Sequence, residues 1–148
     1  GAPGAAIWHP KELFFFTEED FDRHATGAVP HPGAVSHHME QAPSDEAGFD
    51  RDLLLLDNLW SANAFAPREI HLRHPYAAAD RARGFGIEDW SWNIATLWAG
   101  IPHLVVPETV HIIRLKETGS LSRRNTAEGL LPHLPPEARA APGRPPGR

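Results

Sequence analysis

Two adjacent carboxylates, Glu88 and Asp89, stand between the glycines Gly84 and Gly86 and an aromatic run that begins Trp90-Ser91-Trp92. A carboxylate within hydrogen-bond reach of a hydroxyl can take its proton as the oxygen attacks an electrophile, which typically contributes about 10²–10⁴ in rate. Like charges in neighbouring positions repel, so one of the two has a raised pKa and is suited to accept a proton near neutrality. Further along, Thr109-Val110-His111-Ile112-Ile113-Arg114-Leu115-Lys116 reads as an apolar strand that delivers one imidazole and two cations. A neutral imidazole can ligate a divalent metal, and Arg114 or Lys116 can neutralise a departing anion.

The elements that must position these groups are legible. Trp90, Ile94, Leu97 and Trp98 fall at i, i+4, i+7 and i+8, one apolar face of a helix that starts at the acid pair. Gly100 follows as a C′ residue with Pro102 beyond it. Acidic residues at a helix start gain about 0.3–1 kcal/mol each from the dipole, so capping alone accounts for an acid here. The glycines, which allow close backbone approach, and the indoles argue for a ligand as well. Trp90 and Trp92 lie two positions apart and cannot share a helix face, so one belongs to the core and the other to a cleft. Ile101–Val106 and Thr109–Leu115 read as two strands broken at Pro107-Glu108, with His111 and Ile113 on one face and Val110, Ile112 and Arg114 on the other.

Elsewhere, Leu13–Phe16 reads as a buried strand or a helix start, and Thr17-Glu18-Glu19-Asp20 as an N-cap with an acidic first turn. Residues 27–49, rich in Gly, Pro and His, read as a loop, either an acceptor-side lid or disordered. Ser61–Phe65 alternates as a strand would, and Pro67 opens a short helix that ends before Pro75. Beyond Arg123-Arg124, the prolines at 132, 135, 136, 142, 145 and 146 predict an unfolded tail.

With 148 residues, 41% hydrophobic content and five Trp, the chain is expected to form one domain with a packed core. A net charge of −5 argues against a nucleic-acid surface. The absence of Cys excludes disulfides, a thiol nucleophile and thiolate zinc sites. His71 and His74 could meet on a helix face, but no third ligand is fixed by spacing, which weighs against zinc. No apolar run reaches the length of a membrane span, and a cytoplasmic location is the expectation.

Ile87-Glu88-Asp89 resembles the x-Glu-Asp motif of GT-A-fold glycosyltransferases, family 2-like bacterial members in particular. Pro107–Lys116 followed by Gly119-Ser120-Leu121 is similar to the segment after that motif, and Asn58–Ala66 with Pro67-Arg68-Glu69 to the strand and turn before the acceptor region. The resemblance spans roughly residues 50–125. It implies an α/β, partial GT-A (Rossmann-like) fold, with the C-terminal acceptor-side portion in residues 1–126 and a disordered tail in 127–148. It also implies Asp89 as the base, with Glu88 orienting the acceptor or the base. Trp60, Asn63, Trp90, Trp92, Arg114 and Lys116 become substrate-binding residues and His111 a ligand to Mn²⁺ or Mg²⁺. The implied partners are a nucleotide-sugar donor and a saccharide or other hydroxyl acceptor. The family's Asp-x-Asp motif is missing, since Asp50-Arg51-Asp52 lies too close to the acid pair, and the chain begins at Gly1; a piece lacking its nucleotide-binding half is therefore expected. The alternative is a non-catalytic carbohydrate- or partner-binding module using Trp60, Trp90 and Trp92 as platforms.

Overall fold

The aromatic run Leu13–Phe16 forms the second half of an extended strand, β1 (Ile7–Thr17), in a computed structural model that describes residues 5–17, 37–116 and 118–139. β1 is the middle strand of a three-stranded sheet. β2 (His37–Glu40) pairs with it antiparallel, and β3 (His103–Leu115) pairs with it parallel, from Ile7 opposite His103 to Thr17 opposite Leu115. Parallel neighbours need a long crossover. The stretch between them carries 3₁₀ turns at Arg51–Leu55 and Arg81–Arg83 and two helices, α1 (Arg68–Arg73) and α2 (Glu88–Trp98). After β3 come α3 (Leu121–Ala127) and α4 (Pro136–Arg139). The architecture is mixed α/β on a small sheet. No helix among the described residues is long and apolar enough to cross a membrane.

α2 follows its sequence pattern. Ile94 is fully buried with Leu54, Trp60 and Ala138, and Trp90, Leu97 and Trp98 pack around that cluster. Gly100 takes φ +79°, and the N–H groups of Gly100 and Ile101 bond the carbonyls of Leu97 and Thr96, which closes the helix as a Schellman motif. A second cluster joins Trp92 to Ile7 of β1 and Ile70 of α1, so α2 is clamped from both sides.

Three expectations are corrected. The two strands around Pro107-Glu108 are a single β3, because the irregularity is absorbed on both sides of the ladder. The β1 register shifts between Pro10 and Glu12, Glu108 adopts φ +58°, and Thr109 Oγ1 accepts the Lys11 N–H at 3.0 Å. Ser61–Phe65 is not a strand: its backbone pairs with β1 at the isolated Trp8–Phe65 bridge, with both hydrogen bonds at 2.7 Å. Buried Gln41 replaces a ladder there, accepting the Ser61 N–H and donating to the Pro10 carbonyl.

The third correction concerns the Pro-rich end. Residues 127–139 are packed rather than unfolded, and 140–148 lie outside the described residues, as do 18–36 with the expected acidic cap and the first ten residues of the 27–49 loop; the rest of that loop carries β2 and a turn. Leu131 exchanges backbone hydrogen bonds with Gly84 and Gly86, while Leu130 and Ala138 are buried. Proline discourages a ladder but suits a helix's first turn, which Pro136 occupies, and the apolar residues between the prolines find the α2 core. Leu130→Ala should therefore cost about 2–3 kcal/mol in urea unfolding. An unchanged midpoint would mean that this segment is not part of the folded unit.

Candidate functional site

The first turn of α2 opens onto a cavity of about 620 Å³. Ile87, Glu88, Asp89 and Trp90 line it together with Asp57 and Asn58, which follow the first 3₁₀ turn, and Tyr76, which follows α1. Leu121, Asn125 and Thr126 of α3 complete it. The backbone at its edge is constrained. Ile87 holds φ +58° at the position that caps α2, a conformation that costs a β-branched residue on the order of 1–3 kcal/mol. Gly86 packs so closely that a Cβ there would sit 2.8 Å from Leu130 Cδ1. Strain of this kind persists only where the surroundings over-determine it, and here it sets the direction in which the acid pair leaves the turn.

Asp89 is the better-supported acid. Its Oδ2 accepts a hydrogen bond from Asn58 Nδ2 at 3.1 Å, and Asn58 Oδ1 accepts one from Asn93 Nδ2 at 3.0 Å. Burial pushes the Asp89 carboxyl above the usual carboxylate range; the backbone N–H groups of Asp89 and Trp90 oppose the rise, Glu88 adds to it, and Asn58 opposes it. An acid held above its ordinary pKa at the mouth of a cavity is chemically able to accept and return a proton.

Tyr76, the single tyrosine of the chain, is 46% exposed and stacks on Trp92 with centroids 5.0 Å apart. His71 stacks on Trp92 as well, also at 5.0 Å. Burial and the charge of Asp89 raise the Tyr76 phenol. The structure thus brings two aromatic rings, three acids and two amides to one cavity.

The indoles divide, though not all as expected. Trp90 lines the cavity and donates its Nε1–H to the Leu54 carbonyl at 2.6 Å. Trp92 is only 2% exposed and donates to the His74 carbonyl, so it is the core partner that supports Tyr76 rather than a ligand platform. Trp60, at 1%, is also core: it stacks on His103 at 4.2 Å and on His9 at 5.5 Å and donates to the Ala42 carbonyl. Neither buried indole can meet a substrate.

The β3 residues are not among those that line the cavity. His111 is half-buried, its Nδ1 lies 3.3 Å from Ser61 Oγ, and desolvation lowers its pKa, which keeps the imidazole neutral. Its link to the site is indirect, since Ser61 precedes the lining residue Ala62. Arg114 and Lys116 lie exposed at the far end of β3 and after it. Asn63 lines a different cavity, of about 240 Å³, with the exposed rings of Trp8 and Phe65. Among the described residues, no three His, Asp or Glu side chains gather as a metal-ligand set, so His111 offers one ligand of the several that Mn²⁺ or Mg²⁺ needs.

Three residues escaped the sequence reading. Asn58 and Asn93 reach Asp89 through contacts 31 and 35 residues apart in the chain, and no local pattern marks them. Tyr76 follows Pro75 in a stretch without periodicity, where its uniqueness was the only signal. No protein-family model matches the chain, and neither a curated protein nor a solved structure does.

Proposed function

We propose that the chain forms the acceptor side of a nucleotide-sugar-dependent glycosyltransferase of the GT-A kind, with Asp89 as general base. The observation that carries this reading is the common cavity of Glu88, Asp89, Trp90 and Tyr76. In the proposed step an acceptor hydroxyl donates its proton to the Asp89 carboxylate while its oxygen bonds the anomeric carbon. The bond from that carbon to the diphosphate oxygen breaks, and the nucleoside diphosphate leaves with the electron pair. Glu88 orients the acceptor, and Tyr76 with Trp90 offers apolar surface to its ring. A divalent cation, when bound, would stabilise the leaving diphosphate, and His111 is the residue proposed to contribute a ligand.

The test begins with binding. A panel of mono- and oligosaccharides titrated into the 148-residue chain should perturb Trp90 and Tyr76 resonances, and Tyr76→Ala should weaken binding about tenfold. Saturable binding that ignores Tyr76→Ala would place the ligand elsewhere. The second reading, a non-catalytic saccharide-binding module, draws on exposed Trp8 and Phe65 beside Asn63, since Trp60 and Trp92 are not accessible. Loss of binding on Phe65→Ala alone would favour it.

A further inference from the structure

We infer that Asn58 is a positioning residue for the Asp89 carboxylate, and that buried Asn93 sets the orientation in which Asn58 works. This rests on the reading of Asp89 as the proton acceptor and adds how that acid is held.

A side-chain amide has two ends of opposite polarity, and a carboxylate accepts a hydrogen bond from only one of them. Asn93 is 1% exposed on α2, and its Nδ2 donates to Asn58 Oδ1 at 3.0 Å. With Asn93 in this orientation, that contact selects one face of the Asn58 amide. Its Nδ2 is turned to Asp89 Oδ2 at 3.1 Å, whereas flipping Asn58 alone would set Nδ2 against Nδ2 and a carbonyl oxygen against a carboxylate. Both faults would occur together, so the two contacts reinforce one orientation. With Oδ2 held, the plane of the carboxylate is set before any hydroxyl arrives, the kind of preorganisation a general base needs.

Burying Asn93 supports the same conclusion. A primary amide taken out of water is costly unless it is bonded, and an apolar residue on this clamped helix would avoid that cost. The bond it makes leads directly to Asn58 and from there to the acid. The geometry therefore runs as a line of three side chains from the core of α2 to the cavity, with Asn58 supplied by the loop after the 3₁₀ turn. The charged or titratable groups sharing the cavity with Asp89 are Glu88 on the same helix, Asp57 beside Asn58 and Tyr76 after α1; the α3 residues that line it are uncharged.

The experiment reads the Asp89 carboxyl directly, by ¹³C NMR titration of the 148-residue chain. Asn58→Ala removes a donor to the charged form, so the Asp89 pKa should move further upward by about half a unit or more. Asn93→Ala should move it in the same direction, and the double variant should go no further than Asn58→Ala alone, because Asn93 acts only through Asn58. A purely structural role for Asn93 would lower the unfolding midpoint and leave the Asp89 titration in place, which overturns the inference. So would an Asp89 titration unmoved by Asn58→Ala, and that variant decides the matter even if Asn93→Ala fails to fold. The readout needs no transfer activity. Titrations that behave as described in a chain that binds no saccharide would therefore sink the function proposed above while the hold on Asp89 stands.

Discussion

Exchanging Asp89 for Asn is expected to leave acceptor binding nearly unchanged and to lower transfer by at least about tenfold, with 10²–10⁴ the ordinary range for loss of a general base. The measurement belongs to a form in which this chain is joined to a nucleotide-sugar-binding half. Asn keeps the shape of the side chain and an oxygen for Asn58 to donate to, but it has no lone pair basic enough to take the acceptor proton. The pH profile supplies a second check. Burial raises the Asp89 carboxyl, so the base is increasingly protonated as pH falls through that raised value, and kcat/KM should decline on the acid side at a higher pH than an ordinary carboxylate would give. The Asn variant should lose that acid limb. Unchanged turnover, or an acid limb that survives the exchange, would remove Asp89 from the role and leave Glu88 as the remaining acid of the pair.

The second large effect is acid lability of the core, and it comes from two histidines unrelated to the cavity. His9 of β1 and His103 of β3 are 1% and 0% exposed, and His9 Nε2 meets His103 Nδ1 at 2.9 Å. His103 Nε2 lies 2.9 Å from Thr96 Oγ1, which donates its own proton to the Trp92 carbonyl at 2.7 Å. Each of these two contacts holds one proton, and the tautomers of the two rings settle which side carries it. His9 Nδ1 is buried without a partner at full hydrogen-bond geometry, and the nearby backbone of Ser61 and Asn63 offsets only part of the cost of burying the ring.

Desolvation accordingly lowers His9 to about 4 and His103 to about 3, with the charge of His9 further depressing the latter. Both groups bind more protons in the unfolded chain than in the folded one below the ordinary histidine pKa of about 6.5. The fold therefore keeps its full stability above that pH and loses it as pH falls toward the folded values. At about 1.4 kcal/mol per pH unit for each group, the loss between pH 7 and pH 5 comes to roughly 3–4 kcal/mol, a large share of a typical 5–15 kcal/mol. Urea midpoints at the two pH values measure it. His9→Gln, which cannot titrate, should flatten the dependence by about half, and equal midpoints at pH 7 and pH 5 in the parent chain would show that these rings are accessible to solvent protons.

Local physics made much of the structure legible. α2 was readable because its apolar spacing and its glycine stop lie within one short segment, and a helix answers mainly to neighbours three and four residues away. Pro67 and Pro75 bracketed α1 for the same reason, since proline acts on the backbone beside it. The alternation along β3 correctly put Val110 and Ile112 on one face and His111 with Ile113 on the other, and the structure exposes the first pair and half-buries the second. What failed depended on distant partners. Prolines made residues 127–139 look unfolded, and only the apolar surface that α2 presents to Leu134 and Ala138 explains why they pack. The break at Pro107-Glu108 vanished because β1 shifts register to accommodate it.

The candidate site divides along the same line. By itself the sequence determined that two carboxylates leave the first turn of a helix beside an indole, because that arrangement is set by adjacent residues. Tertiary structure alone decided that Trp60 and Trp92 are core, that Tyr76 is the exposed ring, that His111 is not among the residues lining the cavity, and that Asn93 and Asn58 reach Asp89. The physical reason is that burial and side-chain hydrogen bonds depend on which surfaces meet, and contacts between residues thirty or more positions apart leave no mark in the spacing of either partner.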